Sequence, residues 1–327
     1  MHSLKTISLI IPTYNRAEDL KATLKSLKLF FKNIYEIIVI DQSTDNKTKL
    51  LVNSLRNRKI KYFYSKIPSI TIARNLGIKK SSSKTEIICF IDDDVTIKDG
   101  YFEEILKIFN NHAEAKAVAG YIPSPEFKRI SFFELISRKI FFLSYPEKDK
   151  ARIISAYGNT YPDILEKTIN SEWLPGVNMA YKKEIFKEQL FDENFLGYTV
   201  GEDIDFTYSL YKKYPRSLFI TQRAKLVHRV SLIERYPTEK MSYINQVDHF
   251  YFHLKNMNDS FIKKVVFFWS LTGISIMRPI KFLLSRNETD YLKMKFFFTS
   301  LLYCLINIKK IKEGKLRDFI SNKFSYG

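Results

Sequence analysis

Three consecutive aspartates, Asp92, Asp93 and Asp94, follow an apolar run and form the strongest chemical signal in the chain. Adjacent carboxylates repel one another, and burying all three without partners would be costly. A divalent cation would relieve the repulsion, and in proteins Mg²⁺ or Mn²⁺ often bridges carboxylates to a diphosphate. A solvated acidic loop before a helix is the simpler alternative. Taken alone, the aspartates leave both a metal site and a structural loop open.

Two further groups could act together with these aspartates. His228 follows a strand-like run over residues 218–227 and could supply an imidazole nitrogen to the same cation, although a single histidine is more often structural. Glu202 and Asp203 open a helical pattern, where the helix dipole already favours carboxylates. Beyond this capping role, Asp203 could serve as a general base that removes a proton from a hydroxyl.

Three shorter segments could bind ligands, although each alone is compatible with an ordinary turn. Residues 12–16 follow the first apolar run and include Tyr14, whose ring could stack on a base. Arg74 carries a guanidinium, which suits phosphate recognition. Residues 173–179 contain a Pro–Gly turn and Asn178, and they could contact an acceptor.

The first hundred residues alternate between strand and helix patterns. Strands are predicted over residues 7–11, 36–40, 61–64 and 86–91. Helices are predicted over residues 17–31, 46–57 and 70–79. This alternation predicts an α/β fold with a mostly parallel sheet and helices on both faces. Ligands bind at the carboxyl ends of the strands in such sheets, and Asp41 and the aspartate triplet both follow strands.

The regular alternation is lost after Gly120. Residues 127–145 are basic and aromatic and predict an amphipathic helical insertion, whereas residues 202–214 predict a helix and residues 218–227 a last strand. From about residue 236 the sequence is helical, basic and aromatic. We therefore predict a catalytic domain over residues 1–235 and a helical region over residues 236–327.

Composition narrows the class of partner. The 327 residues include 53 Lys and Arg against 35 Asp and Glu, a net charge of +18, which requires an anionic partner such as nucleotide phosphate, a membrane or nucleic acid. The two cysteines, Cys89 and Cys304, are far apart, which excludes a disulfide framework and fits a reducing, cytoplasmic compartment. No secretory signal is recognisable, and no apolar run reaches the length of a membrane span.

Taken in order, these motifs resemble the inverting glycosyltransferases of family 2, which have the GT-A fold. The resemblance extends from Ser8 to about His228, some two thirds of the chain. It rests on five segments and two single residues, namely residues 11–16 (Ile-Pro-Thr-Tyr-Asn-Arg), Asp41, residues 73–77 (Ala-Arg-Asn-Leu-Gly), the aspartate triplet, residues 175–179 (Pro-Gly-Val-Asn-Met), residues 201–203 (Gly-Glu-Asp) and His228.

This resemblance implies a nucleotide-diphosphate sugar as donor and Mn²⁺ or Mg²⁺ as cofactor. It places the donor contacts at Pro12, Tyr14, Arg16, Asp41, Arg74, Asn75, Asp92 and Asp93, with Arg74 near the diphosphate. It assigns the metal to Asp94 and His228, and the general base to Asp203. The acceptor contacts that it implies are Trp173, Gly176, Asn178 and Glu202.

The sequence departs from the polysaccharide-synthase branch of the family, because no Gln-x-x-Arg-Trp pattern follows Asp203. We therefore expect transfer of one sugar to a saccharide or a lipid-linked acceptor. A polyprenyl-phosphate acceptor and an inactive sugar-nucleotide-binding relative are the alternatives. Nucleic acid is disfavoured as a partner because the strand-end carboxylates would repel its phosphates. A nucleotidyltransferase would need a glycine-rich loop, and residues 12–16 contain no glycine.

The C-terminal region lies outside the resemblance, so its role is predicted from composition alone. Two apolar runs, residues 265–277 and 296–308, are flanked by lysine and arginine. This pattern is typical of helices at a membrane interface or of buried core helices. We expect peripheral docking on the anionic inner face of the cell membrane, with packing within the chain or homo-oligomerisation as the alternative.

Overall fold

The computed structural model of the protein describes residues 6–30, 32–123, 130–231, 233 and 236–318. Its strands are β1 (Ile7–Thr13), β2 (Glu36–Asp41), β3 (Ile60–Tyr64), β4 (Ile87–Ile91), β5 (Val95–Ile97), β6 (Ala117–Gly120), β7 (Tyr145–Pro146), β8 (Ile153–Ser155), β9 (Gly158–Tyr161), β10 (Ile169–Ser171), β11 (Asn178–Lys182), β12 (Leu218–Thr221) and β13 (Leu226–His228). Its α-helices are α1 (Ala17–Leu27), α2 (Lys47–Ser54), α3 (Ile70–Lys80), α4 (Tyr101–Asn111), α5 (Phe132–Ile140), α6 (Glu202–Lys213), α7 (Thr238–Asn256), α8 (Phe261–Ser285), α9 (Glu288–Ile306) and α10 (Ile308–Lys312).

The chain divides into two compact units. The first comprises Met1–Pro123, Ile164–Glu193 and Glu202–Glu234. The second comprises Ser124–Asp163, Asn194–Gly201 and Arg235–Gly327. The domains predicted from the sequence differ in that they assign the two inner segments of the second unit to the catalytic domain. That two-domain organisation stays a prediction.

An eight-stranded mixed sheet forms the centre of the first unit, in the order β10-β12-β6-β11-β4-β1-β2-β3. Strands β3, β2, β1 and β4 are parallel, whereas β11 runs antiparallel to both of its neighbours. Every residue of β1, β2 and β4 is buried. This double-sided burial explains their nearly continuous apolar sequences and confirms the predicted, mostly parallel α/β sheet.

A separate two-stranded ribbon brings two distant parts of the first unit together. Strand β5 pairs antiparallel with β13, and Val95 lies opposite His228. The prediction of one strand over residues 218–227 is therefore wrong, because β12 ends in the large sheet and β13 begins in the ribbon. The Thr221 hydroxyl accepts a hydrogen bond from the Arg223 N–H (3.3 Å), which bends the chain between the two strands.

Several predicted helices are shorter in the structure, among them the one predicted over residues 46–57, where α2 spans Lys47–Ser54. The helix predicted over residues 17–31 ends at Leu27 and continues as a 3₁₀ turn, Lys28–Phe30. The insertion predicted over residues 127–145 contains α5, while residues 127–129 lie outside the described part of the chain. In α5 the Ser131 hydroxyl caps the first turn by accepting the Glu134 N–H.

The second unit contains α5, the small sheet β7-β9-β8 and helices α7 to α10. Helix α8 has 25 residues and is long and apolar enough to cross a membrane. Of its most apolar stretch of 18 residues, 22% is buried within the protein. The sequence prediction found no run of this length because it counted only uninterrupted apolar residues. One such helix is weak evidence for a span, since the core helices of other proteins meet the same criterion.

Candidate active site

The aspartate triplet occupies the turn that leads from β4 to β5 in the first unit. The Asp92 N–H donates to the carbonyl oxygen of Val177 (3.1 Å), which ties the turn to the start of β11. The pairing of β5 with β13 brings His228 to the same place. Asp92, Asp94 and His228 each offer a ligand atom, and these atoms lie within 4.8 Å of one another. The structure thus adds Asp92 to the metal-ligand pair predicted from the sequence.

Asp94 is held in its ionised form. One of its carboxylate oxygens, Oδ1, lies 3.1 Å from His228 Nε2, and the other accepts the Ser231 N–H (2.8 Å). Burial opposes ionisation, but the hydrogen bonds from His228 and Ser231 outweigh it and lower the pKa of Asp94 to about 2. A carboxylate must be ionised to bind a cation, and Asp94 meets this condition at neutral pH.

The two preceding aspartates behave differently. Burial raises the pKa of Asp92 to about 6, with the charge of Arg74 opposing the rise and that of Asp94 adding to it. Burial also raises the pKa of Asp93 to about 7. One Asp93 oxygen accepts the Thr13 hydroxyl (2.7 Å), and the other lies 3.5 Å from an Arg16 nitrogen. Asp93 is therefore engaged within the protein, which favours Asp92 over Asp93 as the contact to a donor.

The set Asp92, Asp94 and His228 fits a divalent cation by its chemistry. Two carboxylate oxygens and an imidazole nitrogen suit a transition ion such as Mn²⁺, while Mg²⁺ prefers oxygen ligands. The close approach of Asp94 Oδ1 to His228 Nε2 places the two ligand atoms on the same side of the turn.

A second acidic pair opens α6. The Asp203 carboxylate accepts two backbone N–H groups, those of Ile204 at Oδ1 (2.8 Å) and Gly176 at Oδ2 (2.7 Å). Burial and the neighbouring charge of Glu202 raise the pKa of Asp203 to about 7, despite the opposing charge of Arg74. A carboxylate with a pKa near the working pH is suited to general base catalysis.

Arg74 lies inside the protein beside this pair. Its side chain is 3% exposed; Nη1 donates to Glu202 Oε1 (3.0 Å) and Nη2 to the carbonyl oxygen of Gly176 (3.2 Å). The ring of Phe191 lies 5.1 Å from the guanidinium carbon. The geometry therefore gives no support to the predicted contact between Arg74 and a diphosphate.

Three further residues predicted to contact ligands have their polar atoms engaged within the protein. Asp41 is fully buried and accepts the Ser43 N–H (2.9 Å) and the Tyr62 hydroxyl (2.8 Å). Asn75 holds Phe191, accepting its N–H (3.0 Å) and donating to its carbonyl oxygen (2.9 Å).

Asn178 is also fully buried, and its amide accepts the Tyr101 hydroxyl and the Gly120 N–H and donates to the Gly120 carbonyl oxygen. These contacts make Asn178 a link between β11 and β6, and Asn178 is not retained in the proposed acceptor site. Trp173, which is also predicted to contact the acceptor, is buried, with 8% of its surface exposed.

The predicted donor residues after β1 lie close to the aspartates. Pro12 is buried, and Tyr14 and Arg16 are half-buried. Arg16 reaches both Asp93 and the carbonyl oxygen of Ile233 (2.8 Å). Residues 12–16 thus connect the end of β1 with the triplet, because Thr13 and Arg16 both contact the Asp93 carboxylate.

Sequence reasoning missed the residue that clamps the metal-ligand turn, Arg229. Its N–H donates to the Asp94 carbonyl oxygen (2.9 Å), and its guanidinium donates to the carbonyl oxygens of Val95 (2.6 Å) and Asp19 (3.0 Å). The same guanidinium donates to the Thr23 hydroxyl (3.0 Å). No sequence signal identifies this role, because an arginine beside a short strand is more often an exposed charge.

The sequence model of glycosyl transferase family 2 matches residues 8–190, more than half of the chain. The chain belongs to this family. The matched range includes Arg74 and the aspartate triplet and ends before Asp203 and His228.

Curated relatives are glycosyltransferases as well. An uncharacterized glycosyltransferase of Rickettsia conorii is 40% identical over 95 residues, which are 28% of this chain and 15% of that protein. A GalNAc(5)-diNAcBac-PP-undecaprenol β-1,3-glucosyltransferase of Campylobacter jejuni is 32% identical over 111 residues, 32% of this chain and 34% of that protein. The chain thus spans a minor part of the length of these relatives.

Solved structures show the same fold at low sequence identity. GalNAc-T7, crystallised with UDP, GalNAc and Mn²⁺, has a TM-score of 0.55 and 14% identity, covering 94% of this chain and 58% of GalNAc-T7. TarS 1–349 of S. aureus, in complex with UDP-GlcNAc, has a TM-score of 0.51 and 15% identity, covering 98% of this chain and 91% of TarS 1–349. The predicted GT-A fold is confirmed.

Proposed function

We propose that this glycosyltransferase moves one sugar from a nucleotide-diphosphate donor to a hydroxyl of a saccharide or lipid-linked acceptor, with inversion and with Mn²⁺ or Mg²⁺ as cofactor. The observation that carries the proposal is the group of ligand atoms from Asp92, Asp94 and His228 within 4.8 Å. The UDP and Mn²⁺ of GalNAc-T7 and the UDP-GlcNAc of TarS support the donor class.

Asp92, Asp94 and His228 are the residues that would hold the cation. A bound divalent cation supplies electrostatic stabilisation of the charge that develops on a departing diphosphate. The low pKa of Asp94 keeps this ligand charged at neutral pH, whereas Asp92 loses its proton only near pH 6. Pro12, Tyr14 and Arg16 remain the proposed contacts to the nucleotide, beside the triplet.

Asp203 is the proposed general base. The acceptor oxygen forms a bond to the anomeric carbon while the bond from that carbon to the diphosphate oxygen breaks, and the hydroxyl proton passes to the Asp203 carboxylate. Attack from the side opposite the leaving group inverts the configuration. The N–H groups of Gly176 and Ile204 orient the carboxylate, and Glu202, Gly176 and Trp173 remain the proposed acceptor contacts.

Thermal unfolding tests the donor and metal sites together. The protein is heated with UDP, GDP, dTDP or CDP, each with and without Mn²⁺. A nucleotide at 100 times its Kd should stabilise the fold by about 2.7 kcal/mol. Asp94→Ala should abolish the Mn²⁺-dependent part of the shift, whereas Asp99→Ala, at an exposed carboxylate of the same unit, should retain it. The absence of a shift with every nucleotide would favour an inactive relative.

The anomeric configuration of the product tests the single displacement. Proton NMR of the product formed in the first turnovers reports the configuration directly. An inverted product is expected, and retention would contradict the role of Asp203 as a base in one step.

For the acceptor we favour a lipid-linked glycan on an anionic membrane. The Campylobacter jejuni relative is named for an undecaprenol-linked acceptor. Helix α8 exposes many large apolar side chains, among them Phe261, Phe268 and Leu283, while its buried residues are Phe267, Ser270, Leu271 and Gly273. So large an exposed apolar face on one helix supports a lipid environment for that face.

Charge supports a lipid occupant over a second copy of the chain. Residues 236–327 contain 15 Lys and Arg against 7 Asp and Glu. Two copies of so basic a surface would repel each other, while each Lys or Arg near an anionic bilayer contributes about 1 kcal/mol.

Vesicle flotation tests the membrane contact. The protein should float with phosphatidylserine vesicles at low salt and less with phosphatidylcholine vesicles. The double variant Phe261→Ser/Phe268→Ser should lose flotation, and Leu50→Ser, at an exposed apolar residue of the first unit, should keep it. A protein that stays in the soluble fraction, or elutes as a dimer that the double variant splits, would contradict the lipid assignment.

A further inference from the structure

The buried Arg74 suggests a role that differs from the one implied by family resemblance. We infer that Arg74 is a positioning residue, which holds the Gly176 turn and Glu202 so that Asp203 is presented in a fixed orientation, and that it does not contact the donor. This inference rests on the proposed role of Asp203 as the base.

The contact from Arg74 to Asp203 passes through a single residue. Arg74 Nη2 donates to the carbonyl oxygen of Gly176 (3.2 Å), and the N–H of Gly176 donates to Asp203 Oδ2 (2.7 Å). The backbone of Gly176 is thereby held from both sides. Movement of the guanidinium would shift the N–H that orients the carboxylate.

The same place explains why residue 176 is a glycine. A Cβ atom there would lie 3.0 Å from Asp203 Oδ2 and 3.1 Å from Arg74 Nη2. Both distances are shorter than ordinary van der Waals contacts, and both neighbours are held by hydrogen bonds. A side chain at this position would therefore displace the base, the guanidinium or both.

Neighbouring residues hold Arg74 in place. Nη1 is bound to Glu202 at 3.0 Å, and the ring of Phe191 lies under the guanidinium. Phe191 is in turn held by the side-chain amide of Asn75, the residue that follows Arg74, which donates to the Phe191 carbonyl oxygen and accepts the Phe191 N–H. Arg74 therefore holds Gly176 and Glu202 next to Asp203, while Asn75 holds the Phe191 ring against the Arg74 guanidinium.

Charge points the same way. The Arg74 guanidinium donates to the Glu202 carboxylate, and its charge acts on Asp203. Among the described residues, the same charge also acts on Asp92 and Tyr181. The charge of Arg74 opposes the rise in the pKa of Asp203. Without that charge, Asp203 would hold its proton to higher pH.

The pH profile of kcat, measured at saturating Mn²⁺, tests the inference. Arg74→Met should move the acid limb upward by about 1 to 3 pH units and leave the donor KM within twofold. Arg58→Met, at an exposed arginine of the same unit, should move neither. Glu202→Gln removes the neighbouring negative charge and should move the acid limb downward. A raised donor KM in Arg74→Met with an unmoved acid limb would overturn the inference and restore the diphosphate contact.

A second variant covers a failure of Arg74→Met to fold. Gly176→Ala keeps the guanidinium and should lower kcat at least tenfold while the nucleotide-induced thermal shift stays unchanged; wild-type kcat would count against the inference. Asp203→Asn separates the two hypotheses. If Asp203→Asn stays active, the proposed base fails; if it is inactive while the acid limb of Arg74→Met is unmoved, only the role of Arg74 fails.

Discussion

Two aspartates of the candidate active site, Asp94 and Asp203, have pKa values that are shifted in opposite directions. Asp94 is buried and Asp203 is half-buried; the pKa of Asp94 is lowered to about 2, whereas that of Asp203 is raised to about 7. Burial opposes ionisation of both carboxyl groups, so the groups that neighbour each one determine the direction of its pKa shift. Asp94 faces an imidazole, whereas Asp203 adjoins the charged Glu202. Such divergence distinguishes a ligand, which must be charged, from a base, which must exchange a proton.

The same contrast occurs between adjacent residues of the triplet. Asp93 is tied to the Thr13 hydroxyl and has a pKa of about 7, while Asp94 faces His228. The two residues are adjacent in the turn between β4 and β5, yet their carboxylates have different partners. Adjacent positions with identical side chains can therefore serve a structural contact and a ligand site.

Loss of the proposed base, Asp203, should have the largest effect on the reaction. Asp203→Asn keeps the size of the side chain but removes its capacity to take a proton, so kcat should fall by about 10² to 10⁴. Initial rates with saturating donor and the nucleotide-induced thermal shift are measured together. The thermal shift should be retained, and an equal loss of binding and turnover would contradict the distinction between ligand and base.

Loss of a proposed metal ligand, Asp94, should have the next largest effect. Asp94→Asn removes a permanent negative charge, and the apparent affinity for Mn²⁺ should fall by at least about tenfold, since even changes behind the ligands cost 10- to 100-fold. Titration of Mn²⁺ into the protein, followed by calorimetry, measures this loss. High Mn²⁺ should restore part of the activity in Asp94→Asn and none in Asp203→Asn; rescue of both would remove the distinction.

The pH dependence should have a smaller effect, about tenfold per pH unit. The raised pKa of Asp203 means that its carboxyl is protonated below about pH 7 and basic above it, so kcat should rise with pH through this value. Metal binding should strengthen with pH up to about 6, as Asp92 loses its proton. An acid limb of kcat near pH 4 would show that the environment leaves Asp203 unperturbed.

The sequence predicted those features of the fold that local patterns encode. Strands β1, β2 and β4 are buried on both faces, and such strands read as apolar runs. The ribbon that carries His228 could not be predicted, since the strand pattern over residues 218–227 does not show that the chain leaves one sheet for another. Pairing over more than a hundred residues is a tertiary property.

The candidate site shows the same limit. Residue type is sufficient to suggest a metal-ligand or general-base role for Asp92, Asp94, His228 and Asp203, because carboxylates and imidazoles commonly have these roles. Polar residues such as Asn178 also have ligand-binding chemistry, but Asn178 binds Gly120, 58 residues away in the sequence. Burial and long-range partners determine whether such a residue contacts a ligand or the rest of the protein. Neither its burial nor its partners can be predicted from residue type alone.

The smallest effect on kcat and Mn²⁺ affinity is expected from substitution of Asp93. This substitution tests the difference between Asp93 and Asp94 most directly. Asp93→Asn keeps an oxygen to accept the Thr13 hydroxyl and loses a long contact to Arg16, 3.5 Å in the native protein. Because Asp93 is half-protonated near pH 7, a neutral amide resembles one of its native forms. Both kcat and Mn²⁺ affinity should stay within about threefold of the native values, the range of substitutions that break no strong contact.

Parallel Mn²⁺ titrations of Asp93→Asn and Asp94→Asn make the comparison direct, because the two variants differ by one position and carry the same chemical change. If Asp93→Asn weakens donor binding as strongly as Asp94→Asn weakens Mn²⁺ binding, Asp93 contacts the donor as the sequence predicts. The Thr13 hydrogen bond would then be exchanged for a donor contact on binding. Retention of both affinities in Asp93→Asn would leave Asp92 as the member of the triplet that shares the cation with Asp94 and His228.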